Sequence, residues 1–190
     1  MRRLITFALM CSIMTACAEI NGTKDYQIVP FDKDGTCVLF YDNPEENGGD
    51  KTEIISCDPA VLSELLISAE GGWRYKSYPC TIKKGKVKRM DYGYLFSSEL
   101  EIGGGEFPHT VTYSFYSDGL AEREYRGLGQ IIPEVTSYYY SVNTDGITVA
   151  QDEWKLIEYS DSRIIFDNLD ESKVYNPLNL KVWTRIILKR

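Results

Sequence analysis

The residue types that most often carry out catalysis are few in this chain, and their spacing matches no known catalytic motif. The only histidine, His109, follows a proline at the start of a strand-like segment, and no Gly-x-Ser-x-Gly nucleophile elbow accompanies it. The paired carboxylates Glu45-Glu46 and Asp152-Glu153 fall in turn-like segments or at strand starts, where exposed carboxyl groups are not expected to act as a general acid or base. His109 is interpreted as a solvated residue beside a strand, and the sequence predicts a protein that is not an enzyme.

The cysteine spacing argues against a metal or cofactor site. No Cys-x-x-Cys pair occurs, so a zinc site built from these residues and His109 is not expected. Beyond the amino-terminal segment the cysteines are Cys37, Cys57 and Cys80, an odd number. In an oxidising compartment one pair can form a disulfide while the third thiol stays buried. Cys37 and Cys57 are the favoured pair because both lie in the amino-terminal part of the chain, and no metal or cofactor is predicted.

Aromatic side chains are the positive indication of a binding site. The chain has 14 tyrosines and 3 tryptophans, whose amphipathic rings can line a cavity or cover the face of a glycan. Three of the tyrosines are consecutive, at residues 138–140, and must divide between the two faces of a strand. The residues that we expect to face the protein interior and to form a ligand-binding surface are Tyr113, Phe115, Tyr139 and Trp154.

The first 17 residues predict where the protein is located. Two arginines precede an apolar run over residues 4–14, which is the layout of a secretory signal and is too short to span a bilayer. The segment that follows, Ile13-Met14-Thr15-Ala16-Cys17, resembles the lipobox of bacterial lipoproteins, although leucine is more usual at the position of Met14. The resemblance implies removal of residues 1–16, acylation of Cys17 with a fatty acid such as palmitate, and anchoring in the cell envelope, with the outer membrane favoured. Cleaved secretion without lipidation is the alternative.

The charge distribution excludes one class of partner. The net charge is −7 and becomes more negative when Arg2 and Arg3 leave with the signal, whereas nucleic-acid binding requires clustered lysine and arginine. The one basic run, residues 83–89, is interpreted as a solvated loop. Contact with lipopolysaccharide phosphates or with an acidic glycan is the alternative for this run.

Helix signals are concentrated in one segment. Asp58 can act as an N-cap, Pro59 fits the first helical position, and Gly71-Gly72 is expected to end the helix. The leucines between these points recur on one side, so we expect an amphipathic helix that covers the end of a sheet or barrel. Before it, residues 26–41 predict two short strands around a turn, and residues 52–56 predict another strand.

After Gly72 the sequence alternates between apolar and polar residues as β-strands do. Eight segments, joined mostly by hairpin turns, are predicted as strands: residues 73–78, 110–116, 120–125, 137–142, 147–150, 154–159, 163–167 and 181–189. Such a series indicates an all-β, up-and-down antiparallel β-barrel, which removes its edges by closing. The predicted organisation is a signal peptide over residues 1–16, a lipidated β extension over residues 17–58 and a barrel domain over residues 59–190.

The barrel segment resembles the lipocalin-like domains of bacterial outer-membrane lipoproteins. The likeness covers about residues 60–190 and rests on the short helix, on Gly71-Gly72-Trp73 at the start of a strand, and on a last strand that contains Arg185. In that family the glycine and the tryptophan open the first barrel strand, and an arginine of the last strand packs across the tryptophan ring. The resemblance implies that Gly71, Trp73 and Arg185 close the barrel and do not contact ligand. Residues 79–107 fall outside the likeness because they exceed the usual first loop, and under the ligand-binding hypothesis they are expected to serve as a lid.

Two functions agree with these observations. The first is an envelope lipoprotein whose barrel mouth binds a small hydrophobic or amphiphilic ligand. An eight-stranded barrel has room only for its own side chains or for one small ligand, so the alternative is a non-enzymatic structural or interaction module with a filled barrel. In both cases the lipid anchor makes the membrane a partner, and the sequence names no protein or glycan partner.

Overall fold

The computed structural model describes residues 26–41, 49–96, 99–102 and 109–190. Within these ranges the chain forms one α-helix, α1 (Pro59–Ile67), one short 3-10 helix (Glu171–Lys173) and twelve β-strands. The strands are β1 (Tyr26–Pro30), β2 (Thr36–Tyr41), β3 (Trp73–Lys83), β4 (Lys86–Phe96), β5 (Glu99–Ile102), β6 (Thr110–Phe115), β7 (Leu120–Arg126), β8 (Glu134–Asn143), β9 (Gly146–Val149), β10 (Asp152–Ser160), β11 (Arg163–Asn168) and β12 (Val182–Lys189). The predicted signal and lipobox lie outside the described residues.

Eight strands close into an antiparallel barrel, which confirms the predicted fold. Neighbouring strands follow the order β3-β12-β11-β10-β9-β8-β7-β6, and the start of β3 pairs with β6 to complete the ring. In that closing pair Trp73 lies opposite Tyr113 and Tyr75 lies opposite Val111. Closure provides partners for backbone groups that an open sheet edge would expose.

The same sheet continues outside the barrel from the far half of β3. Residues Cys80–Lys83 pair with β4, which also pairs with β2 and β5, and β1 adds to β2. The expected lid over residues 79–107 is therefore wrong for the described part of that segment, which forms the end of β3, β4 and β5. The segment is rich in lysine and glycine, which hides its strand character in the sequence. Val38, Met90 and Val182 pack together in a small core of this extension.

The helix closes one end of the barrel. Asp58 is its N-cap, and the Asp58 carboxylate accepts a hydrogen bond from the Ala60 amide at 2.8 Å. On the face turned toward the barrel, Leu62 and Leu66 are fully buried in the main hydrophobic core. The predicted amphipathic helix therefore covers a barrel end, as expected.

The turn from α1 into β3 depends on two glycines. The helix ends at Ile67, earlier than the sequence indicates, and Gly71 and Gly72 adopt left-handed φ values of +80° and +77°. A Cβ atom at Gly72 would lie 2.7 Å from the Ser114 Oγ on β6. Glycine is therefore required here by both conformation and space, because the chain must approach β6 closely before β3 begins.

Residues 49–57, here called the strap, lead into α1 without forming the strand that the sequence predicts at residues 52–56. The Ile55 amide donates a hydrogen bond to the Leu156 carbonyl at 2.9 Å, and the Cys57 amide donates to the Thr144 carbonyl at 2.8 Å. These two bonds hold the end of the strap against β10 and the β8–β9 turn.

The predicted Cys37–Cys57 disulfide is wrong. Cys37, Cys57 and Cys80 are all free and buried. Cys37 lies in β2 of the extension, whereas Cys57 packs in the barrel core beside α1. Nearness in sequence misled the prediction because β2 and the strap belong to different parts of the fold.

The barrel has two different ends. Successive antiparallel strands reverse direction, so alternate connections lie at the same end. At one end, here called the closed end, α1 lies beside the β6–β7, β8–β9 and β10–β11 turns. The β3–β4 turn, the β7–β8 loop and the β9–β10 and β11–β12 connections lie at the opposite end, here called the open end. Within the described ranges, no helix has the length and apolar character needed to cross a bilayer.

Candidate functional site

Three of the four predicted ligand-binding residues lie inside the barrel. Tyr113, Phe115 and Trp154 are buried in its core. The Trp154 ring centroid lies 5.5 Å from that of Tyr113 and 5.9 Å from that of Phe166, and Phe115 lies 5.1 Å from Tyr140. These contacts are typical of packed aromatic clusters. The half of the barrel near the closed end is therefore filled by its own side chains. The cluster formed by Tyr113, Phe115, Tyr140, Trp154 and Phe166 is here called the aromatic floor.

Tyr139 is the fourth predicted residue, and its predicted inward orientation is wrong. Its side chain is 79% exposed, whereas Tyr138 and Tyr140 pack against the barrel core. Three consecutive tyrosines give no indication of which of them points inward. Pairing decides it, because buried Ala121 of β7 lies opposite Tyr138 and places Tyr138 on the inner face.

The inner face toward the open end is polar and reached by water. Residues opposite each other in an antiparallel pair share a face, so Arg123 faces inward with Tyr113, and Ser77 faces inward with Ile186. Thr136 lies opposite Arg123. Ser77 and Thr136 are exposed although they face the interior, so this half of the barrel is open to solvent. The inward residues at this level, here called the mouth layer, are Tyr75, Ser77, Arg123, Tyr125 and Thr136.

Arg123 gives the mouth layer a positive charge. It is partly buried, with its guanidinium carbon 5.9 Å from the centroid of the Tyr125 ring. Among the described residues it has no salt-bridge partner: of the inward carboxylates nearer the rim, Asp152 pairs with Lys173 and Glu134 lies opposite Tyr125. The sequence analysis missed Arg123, although its position two residues after Ala121 and two before Tyr125 indicates a shared face.

The tyrosine hydroxyls near Arg123 are neutral hydrogen-bond donors. Burial raises the pKa of Tyr113 well above its usual range, and neighbouring Tyr75 adds to this effect while the charge of Arg123 partly opposes it. Burial also raises the pKa of Tyr75, against the hydrogen bond of Ser77 and the charge of Arg123. Both phenols therefore stay protonated at neutral pH and can donate to an acceptor in the mouth.

The closed end is sealed by Trp73 and Arg190, and the expectation that Arg185 covers the tryptophan is wrong. Trp73 is fully buried and its Nε1 donates a hydrogen bond to the Leu66 carbonyl at 3.0 Å. The guanidinium of Arg190 lies 4.6 Å from the Trp73 ring centroid and donates to the Ser68 Oγ at 2.6 Å. Alternation along the last strand explains the difference, because Arg185 lies five positions before Arg190 and so points to the opposite face.

Arg185 instead forms a buried salt bridge on the outer wall. Its Nε and Nη2 donate to the two carboxylate oxygens of Asp167 at 2.8 and 3.0 Å, and its Nη1 and Nη2 donate to the Gly49 and Lys51 carbonyls at 2.9 and 2.5 Å. Burial by itself would lower the pKa of Arg185, but the hydrogen bond and charge of Asp167 outweigh it and the pKa is raised. This permanent cation therefore ties the strap to β11 and β12 and takes no part in the mouth.

Two surface crevices lie outside the barrel interior. One, of about 490 Å³, lies at the closed end between the glycine turn and the β6–β7 turn, where Asp118 already accepts a hydrogen bond from the Leu120 amide. The other, of about 360 Å³, lies at the rim of the open end beside Asp152, Lys155 and Asp170. Lys155 pairs with Glu153, and Lys173 pairs with Asp152 and Asp170, so the carboxylates of this second crevice already have cationic partners.

In the part of the chain that the structure describes, no group of three or more His, Cys, Asp or Glu side chains could hold a metal ion. Comparisons with known proteins find no family model, no curated protein and no solved structure that matches this chain. The class that the fold defines is therefore a closed eight-stranded antiparallel β-barrel with one helix-covered end and four further strands that extend the sheet outside the barrel. Membership of the lipocalin-like family stays a prediction from the residues that carry the resemblance.

Proposed function

We propose that this protein binds one small amphiphilic molecule in the open half of its barrel, as a lipid-anchored binding module of the cell envelope and not as an enzyme. The observation that carries the proposal is the mouth layer, in which polar, inward-facing side chains reached by water lie above an aromatic floor. A barrel that served only as a scaffold would have no need to place a partly buried arginine without a salt-bridge partner on its inner face.

The side chains of the mouth layer and of the aromatic floor define the kind of ligand. The rings of Tyr75 and Tyr113, whose centroids lie 5.1 Å apart, offer an apolar surface to a hydrocarbon or aromatic portion. Arg123 and the neutral phenol groups offer hydrogen-bond donors to a polar group, and the charge of Arg123 favours an acidic one. Because the floor is filled, the space suits a short molecule and excludes one that needs the full depth of the barrel.

The location in the envelope is supported by the lipobox resemblance at residues 13–17. Cys17 and Tyr26, the first residue of β1, are nine positions apart, which allows a tether of up to about 30 Å. The barrel could then reach ligands at or near the membrane surface while the acyl chain holds it there.

The alternative function is a non-enzymatic structural or interaction module, and the packed aromatic floor favours it. The two functions differ in whether the mouth takes up a ligand. We therefore compare Thr136→Trp, which fills the mouth from inside, with Ser137→Trp, which adds the same ring to the outer face of the same strand.

The test is a titration with the anionic amphiphile 1-anilinonaphthalene-8-sulfonate and with a neutral naphthylamine probe. Thr136→Trp is expected to weaken probe binding by about tenfold or more at an unchanged melting temperature, while Ser137→Trp binds like the wild type. If the wild type binds neither probe, or if the two variants behave alike, the binding function is wrong and the interaction module takes its place.

A further inference from the structure

The β7–β8 loop exposes an unusual amount of aliphatic surface at the open end. Leu128, Ile131 and Ile132 are 76%, 91% and 78% exposed. The loop is folded on itself, because the Gly127 amide donates to the Gln130 side chain at 2.8 Å and the Gln130 amide donates to the Gly127 carbonyl at 3.2 Å. Single exposed aliphatic residues are common, but three within five residues at the tip of one loop indicate a contact surface.

The β3–β4 turn brings a cluster of lysines to the same end. Lys84 and Gly85 form its two central residues with φ values of +53° and +76°, a geometry that suits a tight two-residue hairpin. Lys84 and Lys86 are exposed and, among the described residues, neither forms a salt bridge. Lys83 lies beside them, with its ammonium group 4.0 Å from the Phe40 ring centroid. A local cation cluster in a chain of net charge −7 implies an anionic partner for this turn.

The strand directions place both features at one end of the barrel. β3 and β7 are each antiparallel to β6, so they run in the same direction. The turn that follows β3 and the loop that follows β7 therefore both project from the open end, from the two strands that flank β6. An anionic bilayer has phosphate groups at its surface and hydrocarbon beneath them. Exposed basic and apolar residues at the same end of the barrel are complementary to these two regions.

We propose that the open end of the barrel docks on an anionic lipid bilayer, with Ile131 and Ile132 inserted below the headgroups and the lysines of the β3–β4 turn against the phosphates. The residue types favour lipid over a protein partner, because protein interfaces depend mainly on Trp, Tyr and Arg, whereas the tip of this loop is aliphatic. The proposal does not depend on ligand binding in the mouth, and it concerns residues that the mouth layer does not use.

The test places a fluorescent reporter at each end of the barrel in the full chain carrying Cys17→Ala, so that no acyl chain at that residue sets the orientation. Ile131→Trp reports on the β7–β8 loop, and Val61→Trp reports on the exposed side of α1 at the closed end. Vesicles of phosphatidylcholine alone or mixed with phosphatidylglycerol carry brominated acyl chains, which quench an inserted tryptophan. The three native tryptophans are buried, and the signal of the parent protein is subtracted.

We expect Trp fluorescence of Ile131→Trp to shift to the blue and to be quenched on the anionic vesicles, and that of Val61→Trp to remain unquenched. Adding Lys84→Gln and Lys86→Gln to Ile131→Trp should weaken this binding by about fivefold per lysine, whereas Lys33→Gln with Lys76→Gln, away from the open end, should leave it unchanged. Equal quenching of Ile131→Trp and Val61→Trp, or no quenching of Ile131→Trp, would overturn the proposal. So would quenching of Ile131→Trp that is independent of the anionic lipid and of Lys84 and Lys86. A blue shift that appears without vesicles as protein concentration rises would replace it with self-association.

Discussion

Replacing Asp167 by asparagine tests the buried salt bridge that holds the strap to the barrel. Arg185 is 0% and Asp167 is 2% exposed, so Asp167→Asn leaves a guanidinium inside the protein without its counter-charge. Removing one partner of a buried ion pair typically costs about 3–5 kcal/mol. That is a large part of the roughly 5–15 kcal/mol by which a domain of this kind is stable. We therefore expect the free energy of unfolding to fall by about 3 kcal/mol, at the lower limit because asparagine retains one hydrogen-bond acceptor.

The second half of the same test removes both charges. Arg185→Met alone should also be costly, because it leaves the Asp167 carboxylate buried and removes the hydrogen bonds to the Gly49 and Lys51 carbonyls. The combination of Arg185→Met with Asp167→Leu should cost clearly less than the sum of the single changes, since no uncompensated charge remains. The pair is thus expected to show a coupling energy of about 2 kcal/mol or more in a double-mutant cycle.

The assay is equilibrium unfolding in urea followed by tryptophan fluorescence, with the slope of the transition checked for each variant. The exposed pair between Arg126 and Glu124, at 3.1 Å, provides the matched control, and Glu124→Gln is expected to cost less than about 1 kcal/mol. A loss below about 1 kcal/mol for Asp167→Asn, or single changes that are additive, would refute the reasoning that this pair depends on mutual neutralisation.

Three further predictions follow from the closed end, the buried thiols and the lipobox. Trp73→Ala should lower stability by about 3–5 kcal/mol and Arg190→Ala by about 1 kcal/mol, with measurable coupling between the two in urea unfolding; additivity would show that the ring and the guanidinium do not interact. Burial raises the pKa of Cys80 to about 12, so at pH 8 its thiol should react with iodoacetamide only when the protein unfolds, and rapid labelling of the native protein, located by peptide mass, would contradict this. Cells fed an alkyne fatty acid should label the wild type but not Cys17→Ala, and a wild type that is unlabelled and soluble would exclude lipidation.

The sequence was informative about the elements of the barrel because hairpin turns and alternation are local. The eight predicted strands are the eight strands of the barrel, and the cap at Asp58 starts the helix where expected. The strands of the extension were only partly visible. Residues 26–41 form the two predicted strands, whereas β4 was taken for a loop because Lys86, Lys88, Arg89 and Asp91 make its first half strongly charged and obscure the period of its buried residues.

The candidate site was less visible, since inward orientation depends on pairing between distant strands. Tyr113, Phe115 and Trp154 alternate with polar neighbours and were placed correctly on the inner face. Tyr139 was not, because its two neighbours are also tyrosines and a shift of one residue exchanges the faces. Arg123 was overlooked because a charged residue is not expected on the inner face of a strand.

The sequence by itself determined the fold class of this protein, because the period of two along each strand and the tight turns between strands require only neighbouring residues. Only the tertiary structure decided which side chains each of three arginines contacts. Arg190 covers Trp73, Arg185 pairs with Asp167 on the outer wall, and Arg123 is left facing the mouth. These roles depend on the register of strands that are far apart in sequence, and register is fixed by the closure of the whole barrel.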